Sequence, residues 1–182
     1  MSQVILAGPS LTAGDRADYP QFRFDPPAAE GDILRLVAEG ARVIGIVDGV
    51  FGQAQALGHK EILWALAHGV RVCGAASIGA LRAVELGPYG MEGIGEIFRG
   101  YRQGALTDDA DVALLHAPGD LGWKPLTVPL VEVRATVAAL RARRRLSGLK
   151  LRQIQRAAED IYYQDRTWAR LARACAASAP EA

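Results

Sequence analysis

Val70-Arg71-Val72-Cys73-Gly74-Ala75-Ala76-Ser77-Ile78-Gly79 (VRVCGAASIG) is the most informative run in this chain. Val70–Gly74 is short and apolar and reads as a buried strand. A helix rich in Ala and Leu follows at once, over Ser77–Leu86. Two similar runs lie upstream. Gln3–Ala7 (QVILA) ends at Gly8-Pro9-Ser10, and Val43–Val47 (VIGIV) ends at Asp48-Gly49. Helical patterns separate them. One is capped by Asp32, carries Ile33, Leu36 and Val37 on one face, and stops at Gly40. The other covers Gln55–His68, with Ile62, Leu63 and Leu66 on one face and Gly69 just past its end. Strands that alternate with helices predict an α/β fold, a mostly parallel sheet with flanking helices. Sites in such sheets form beyond the carboxyl ends of the strands. The three polar turns are therefore expected to converge on one crevice.

Further along, the pattern changes. Asp15–Pro27 reads as a surface loop, Gly87–Gly95 as a loop or hinge, and Glu96–Gln103 as a short helix. Thr107–Asp111 is an acidic turn, Val112–His116 a short strand, and Pro118–Pro129 irregular. From Val131 onward three apolar stripes at helical spacing predict a C-terminal helical layer with an exposed Arg-rich face, broken at Ser147-Gly148. The expected organisation is a single domain over 1–182, an α/β core at 1–131 and a basic helical extension at 132–182.

Composition bounds the function. The chain has 182 residues, 50% hydrophobic and 23% charged, enough to bury a core and too apolar for a disordered tail. No uncharged apolar run has membrane-spanning length, and no signal peptide is read at the N-terminus. Cys73 and Cys175 lack CxxC partners, which predicts reduced thiols in a cytoplasmic protein. The net charge of +1 hides a split. Residues 1–133 carry 10 Lys/Arg against 16 Asp/Glu, whereas residues 134–173 carry 11 against 3. Such a dipolar chain suits docking to charged macromolecules. No aromatic-rich basic module points to nucleic acid.

Ala75-Ala76-Ser77-Ile78-Gly79 is close to the nucleophile elbow G-x-S-x-G, with Ala75 in place of the first glycine. A tight strand-to-helix turn needs small neighbours. It projects the hydroxyl into the crevice and leaves first-turn N–H groups free to hold an oxyanion. Ser77 equally suits a plain helix N-cap. A serine nucleophile needs a base. His59 and His68 lie about 180° apart on a helix and cannot share a metal there. No HExxH or Cys/His cluster is present, so neither metal nor cofactor is expected. His68, beside Gly69, suits the end of its helix. Lysine is scarce, only Lys60, Lys124 and Lys150 against 18 Arg. Lys60 lies beside Leu57, Ile62 and Leu63 near a helix start. Sheltered there, it would act as a base that arginine cannot replace. The alternative is a solvated lysine paired with Glu61 or Glu39. Asp48 either orients Lys60 or a substrate group, or forms an ordinary Asp-Gly turn. Gly8-Pro9-Ser10 lacks the rest of a P-loop. Arg82 and Glu85, three apart, suit an ion pair.

Several motifs together resemble the TfuA-like family. They are Leu6–Leu11 (LAGPSL), Ile46–Phe51 (IVDGVF), His59–Leu63 (HKEIL), Gly74–Leu86 (GAASIGALRAVEL), Tyr101–Ala113 (YRQGALTDDADVA) and Val128–Arg134 (VPLVEVR). Where the family usually shows two adjacent serines, this chain has Ala76 and then Ser77. The resemblance implies work beside a YcaO-type ATP-dependent enzyme in peptide backbone thioamidation. It implies hydrolysis of the C-terminal thiocarboxylate of a ThiS-like sulfur carrier, which releases sulfide, and help for the YcaO enzyme in engaging its peptide. Carried over by motif, Ser77 is the nucleophile and Lys60 the base. Asp48, Gly49, Ser10, His59, Ile78, Gly79 and Arg82 are the expected substrate contacts. The alternative is a non-catalytic adaptor that docks the YcaO enzyme and its peptide.

Overall fold

The computed structural model describes residues 2–50 and 57–177. The chain divides into two compact units, Met1–Asp109 with Pro118–Lys124, and Ala110–Ala117 with Pro125–Ala182.

The first unit follows the order β1 (Ser2–Leu6), α1 (Ala13–Ala17), β2 (Arg23–Asp25), α2 (Asp32–Ala38), β3 (Ala41–Ile46), α3 (His59–Ala67), β4 (Arg71–Ala75), α4 (Ile78–Leu86), β5 (Glu92–Ile94) and α5 (Gly95–Arg102). The strands form one sheet in the order β2-β1-β3-β4-β5. Every pairing is parallel. This is the expected α/β architecture with a parallel sheet and flanking helices.

Strand order and handedness explain where the helices go. The crossovers from β2 to β3, β3 to β4 and β4 to β5 step one way across the sheet. Right-handed connections then bring their helices to one face. That face holds the core. Val4, Leu6, Ile44, Ile46 and Val72 of the strands pack on Ile33 and Leu36 of α2, Ile62 and Ala65 of α3, and Ala83 and Leu86 of α4. Alternation sends Ile5, Val43, Gly45, Cys73 and Ala75 to the opposite face, where they are half-buried around a cavity of about 230 Å³. Phe24 pairs with Ile5 on that face, and Arg16 of α1 lies 5.9 Å above its ring. Burial pushes the Cys73 thiol above its ordinary value; Glu92 adds to this and Arg71 opposes it.

Several local expectations are corrected. The surface loop expected at Asp15–Pro27 contains α1 and the edge strand β2, and the hinge expected at Gly87–Gly95 contains β5. Both strands are three residues long, too short to show alternation. Asp32 is the first residue of α2 rather than its cap. Gly31, at φ +88°, is the N-cap, and Asp32 accepts from the Ala29 N–H at 2.9 Å. Val112–His116 is not a strand. A 3-10 turn occupies Asp109–Asp111, and His116 makes only an isolated bridge to Pro125.

The second unit holds α6 (Leu130–Ala142), α7 (Gly148–Asp160) and α8 (Trp168–Ala177). Val133 and Val137 of α6, Leu151 and Ala158 of α7, and Leu171 of α8 form its core. Ser147 caps α7 by accepting from the Lys150 N–H at 3.3 Å. Buried Arg166 donates from Nε to the Ala158 carbonyl at 2.9 Å, and Arg134 reaches Asp111 at 3.2 Å. Among the described residues, no helix is long and apolar enough to cross a membrane.

Candidate active site at the carboxyl edge of the sheet

β1, β3 and β4 end at one edge, and their turns are knitted together there. Asp48, after β3, is 2% exposed. Its Oδ2 accepts from the Gly8 N–H at 2.8 Å and the Ser10 N–H at 3.0 Å, and its Oδ1 accepts from the Ser10 hydroxyl at 2.7 Å. A buried carboxylate needs such donors, since desolvation without them is costly. Asp48 thus serves as more than a turn residue: it fixes the β1 turn against the β3 turn. Ala28 adds the turn after β2, donating its N–H to the Asp48 carbonyl at 2.8 Å.

The Ser77 turn is set against bare backbone. A Cβ on Gly79 would lie 1.9 Å from the Ile46 carbonyl oxygen, and one on Gly74 would lie 2.0 Å from the Gly79 carbonyl oxygen. Only glycine permits α4 to start this close to β3 and β4. Ala76 takes φ +55°, a left-handed conformation rare for a residue with a side chain. Ser77 follows at φ −67° and ψ −121° and occupies the N-cap position of α4, yet its side chain makes no capping hydrogen bond. The Ser77 carbonyl accepts from the Ala80 N–H at 3.2 Å. Among the described residues, the Ile78 and Gly79 N–H groups have no hydrogen-bond partner. The turn therefore presents a half-buried hydroxyl and two free donors at the head of a helix.

The start of α3 is tied to the same helix. Arg82 donates from Nε to the Leu57 carbonyl at 3.2 Å and from Nη1 to Glu85 at 2.6 Å. His59 Nε2 lies 2.8 Å from the same Glu85 oxygen. His59 and Arg82 thus meet at Glu85, a partner that the sequence paired with Arg82 alone. Lys60 does not share in this. It is exposed, and its amine has no partner among the described residues. The shelter expected beside Leu57 and Ile62 is absent because α3 turns Glu61, Ile62 and Ala65 inward and carries Lys60 outside. The alternative pairing fails as well. Glu39 bonds Arg23 and Arg35, and Glu61 accepts from the Gly31 N–H at 2.9 Å.

Glu61 is the site-region residue that sequence reasoning passed over. It is buried, and among the described residues its Oε1 has no partner. A carboxylate at an inward helical position, level with Ile62 and Ala65, was the available signal. Beside the Ser77 turn, a groove of about 540 Å³ is lined by Ile78, Leu81, Arg82 and Glu85 of α4 and by Thr107, Asp108 and Asp109. His68 stays apart, as its sequence position suggested. Its Nδ1 bonds the Trp64 carbonyl at 2.7 Å near the end of α3.

The family model described as TfuA-like protein matches residues 48–167. The chain belongs to the TfuA-like family. The match begins at Asp48 and takes in Lys60, Ser77 and Arg82, while the Gly8–Ser10 turn held by Asp48 precedes it. Membership associates this TfuA-like protein with thioamidation. Among curated proteins, none matches the chain.

Proposed function

We propose that this TfuA-like protein hydrolyses the C-terminal thiocarboxylate of a small ThiS-like carrier protein, supplying sulfide for YcaO-dependent thioamidation of a peptide backbone. One observation carries the reading: Ser77 stands at a helix N-cap, but its hydroxyl caps nothing. A purely structural serine there would bond a first-turn amide. The free hydroxyl, the left-handed residue before it and the unbonded Ile78 and Gly79 amides together form what an acyl-transfer turn requires.

In this mechanism the carrier's tail lies in the groove over Ile78 and Leu81. Ser77 Oγ attacks the thiocarboxylate carbon, and its proton passes to the Lys60 amine. The Ile78 and Gly79 N–H groups stabilise the tetrahedral oxyanion. The carbon–sulfur bond breaks, and sulfide leaves with the proton from Lys60. Water then attacks the acyl-serine, giving a proton to Lys60; the bond from the carbonyl carbon to Ser77 Oγ breaks, Lys60 returns that proton to Oγ, and the carrier departs as a carboxylate, its other proton passing to solvent. Hydrolysis thus consumes one water and requires no cofactor. Lys60 is exposed in the free protein, so the bound tail must exclude water from the amine and favour its neutral form. Asp48, Gly49 and Ser10 hold the neighbouring turns, while His59 and Arg82 fix the start of α3 against α4.

The exposure of Lys60 favours a second reading, a non-catalytic adaptor that docks the YcaO enzyme and its peptide. Incubating the purified chain with a thiocarboxylated carrier, without the YcaO enzyme, separates the two. Sulfide release that is lost in Ser77→Ala supports the hydrolase; no release from the folded wild type leaves the adaptor.

A further inference from the structure

The three helices of the second unit leave a groove that their own core does not fill. Leu140 of α6, Ile154 of α7, and Trp168, Leu171 and Cys175 of α8 line a space of about 410 Å³. Leu146, in the α6–α7 connection, adds to the lining and is itself 40% exposed. Trp168 is 43% exposed. A floor of aliphatic and aromatic side chains contributed by three helices is the concave form that receives anchors from an amphipathic helix.

The rim states the charge of the occupant. Arg141, Arg143, Arg144 and Arg145 lie in the chain between the lining residues Leu140 and Leu146. All four are exposed, and among the described residues none forms an ion pair. Three of the unit's acidic side chains are engaged with other arginines: Asp111 and Glu159 pair with Arg134, and Asp165 pairs with Arg170. An unneutralised cationic rim around an apolar floor complements an anionic segment with apolar anchors.

We infer that this groove docks an acidic amphipathic helix of a partner protein. Its apolar side chains would seat between Leu140, Ile154 and Trp168, and its carboxylates would meet Arg141 and Arg143–Arg145. The concavity argues against a lipid surface, which requires apolar side chains that protrude. The aliphatic floor argues against nucleic acid, which favours stacking platforms. This inference is independent of the chemistry at Ser77. Its test measures binding and not sulfide, so either can fail without the other.

The full chain is titrated with a synthetic peptide carrying leucines at helical spacing and glutamates elsewhere, read by tryptophan fluorescence. The signal is expected to saturate and to vanish in Trp168→Phe. A peptide with glutamine in place of glutamate is expected to bind at least ~10-fold more weakly. Ala172→Glu, at an exposed lining position, and the triple change of Arg143, Arg144 and Arg145 to Glu are each expected to weaken binding ~10-fold. Circular dichroism confirms that both variants remain folded. Equal affinity for the glutamate and glutamine peptides, or undiminished binding by folded Ala172→Glu, overturns the inference. So does displacement of the peptide by an RNA oligonucleotide or by phosphatidylserine vesicles that bind the same face more tightly.

Discussion

Ser10 donates its hydroxyl proton to Asp48 at 2.7 Å, across 38 residues of sequence, and so joins the turn after β1 to the turn after β3. Asp48→Ala would strand that hydroxyl and the Gly8 and Ser10 N–H groups in a part-buried setting. The expected cost is about 3 kcal/mol, because hydrogen bonds to a charged acceptor are lost together. Chemical denaturation of the two proteins measures it. A cost under ~0.5 kcal/mol would show that the two turns hold without the carboxylate.

Ser77→Ala is expected to abolish sulfide release while barely changing stability. A serine that caps a helix is worth about 1 kcal/mol; Ser77 caps nothing, so its loss should shift stability by less than ~0.5 kcal/mol. Thermal melts and a sulfide assay on one preparation test both halves. Full turnover in the variant removes the nucleophile assignment.

Lys60→Ala and Lys60→Arg are both expected to remove most activity, since arginine keeps its proton at any working pH. Neither should destabilise the fold, because Lys60 is exposed and has no partner among the described residues. A Lys60→Arg enzyme with normal rates of sulfide release would exclude Lys60 as the base.

Gly79→Ala is expected to be among the most damaging small substitutions in the first unit. The added methyl would lie 1.9 Å from a backbone oxygen that cannot move alone. A loss of about 3 kcal/mol or outright failure to fold is expected, read by denaturation or soluble yield. Gly58→Ala, where a Cβ meets nothing within 4 Å among the described residues, is the control.

Cys73 should react slowly with iodoacetamide. In a Cys175→Ser background it is the sole thiol, and burial holds it in the neutral form to a higher pH than in the unfolded chain. The sign follows. Stability gained from the neutral thiol is present below the unfolded value and fades as pH rises through the folded one. Alkylation at mildly alkaline pH should therefore be several-fold faster after denaturation. Equal rates would contradict the burial effect.

The three central strands and the helices between them were legible in the sequence because each buries an apolar run or stripe long enough to show a period. β2 and β5 were not. Arg23-Phe24-Asp25 and Glu92-Gly93-Ile94 are edge strands held mainly by backbone bonds, which leave no mark on composition. The Ser77 turn was readable from its small residues, since close packing of backbone on backbone restricts residue type. The exposure of Lys60 was not, because its neighbours Leu57 and Ile62 are apolar but face the other way. The Glu85 junction was only half visible, since the approach of His59 depends on tertiary placement of α3.

The contact of Gly74 and Gly79 with carbonyl groups has a consequence for how the Ser77 hydroxyl keeps its place. Most reactive side chains are aimed by neighbouring side chains, which swap rotamers and can be retuned by substitution. This one is aimed by peptide planes, the stiffest parts of the molecule. The place of its backbone is inherited from β3 and β4, and drift elsewhere in the sequence can reshape the groove without moving it.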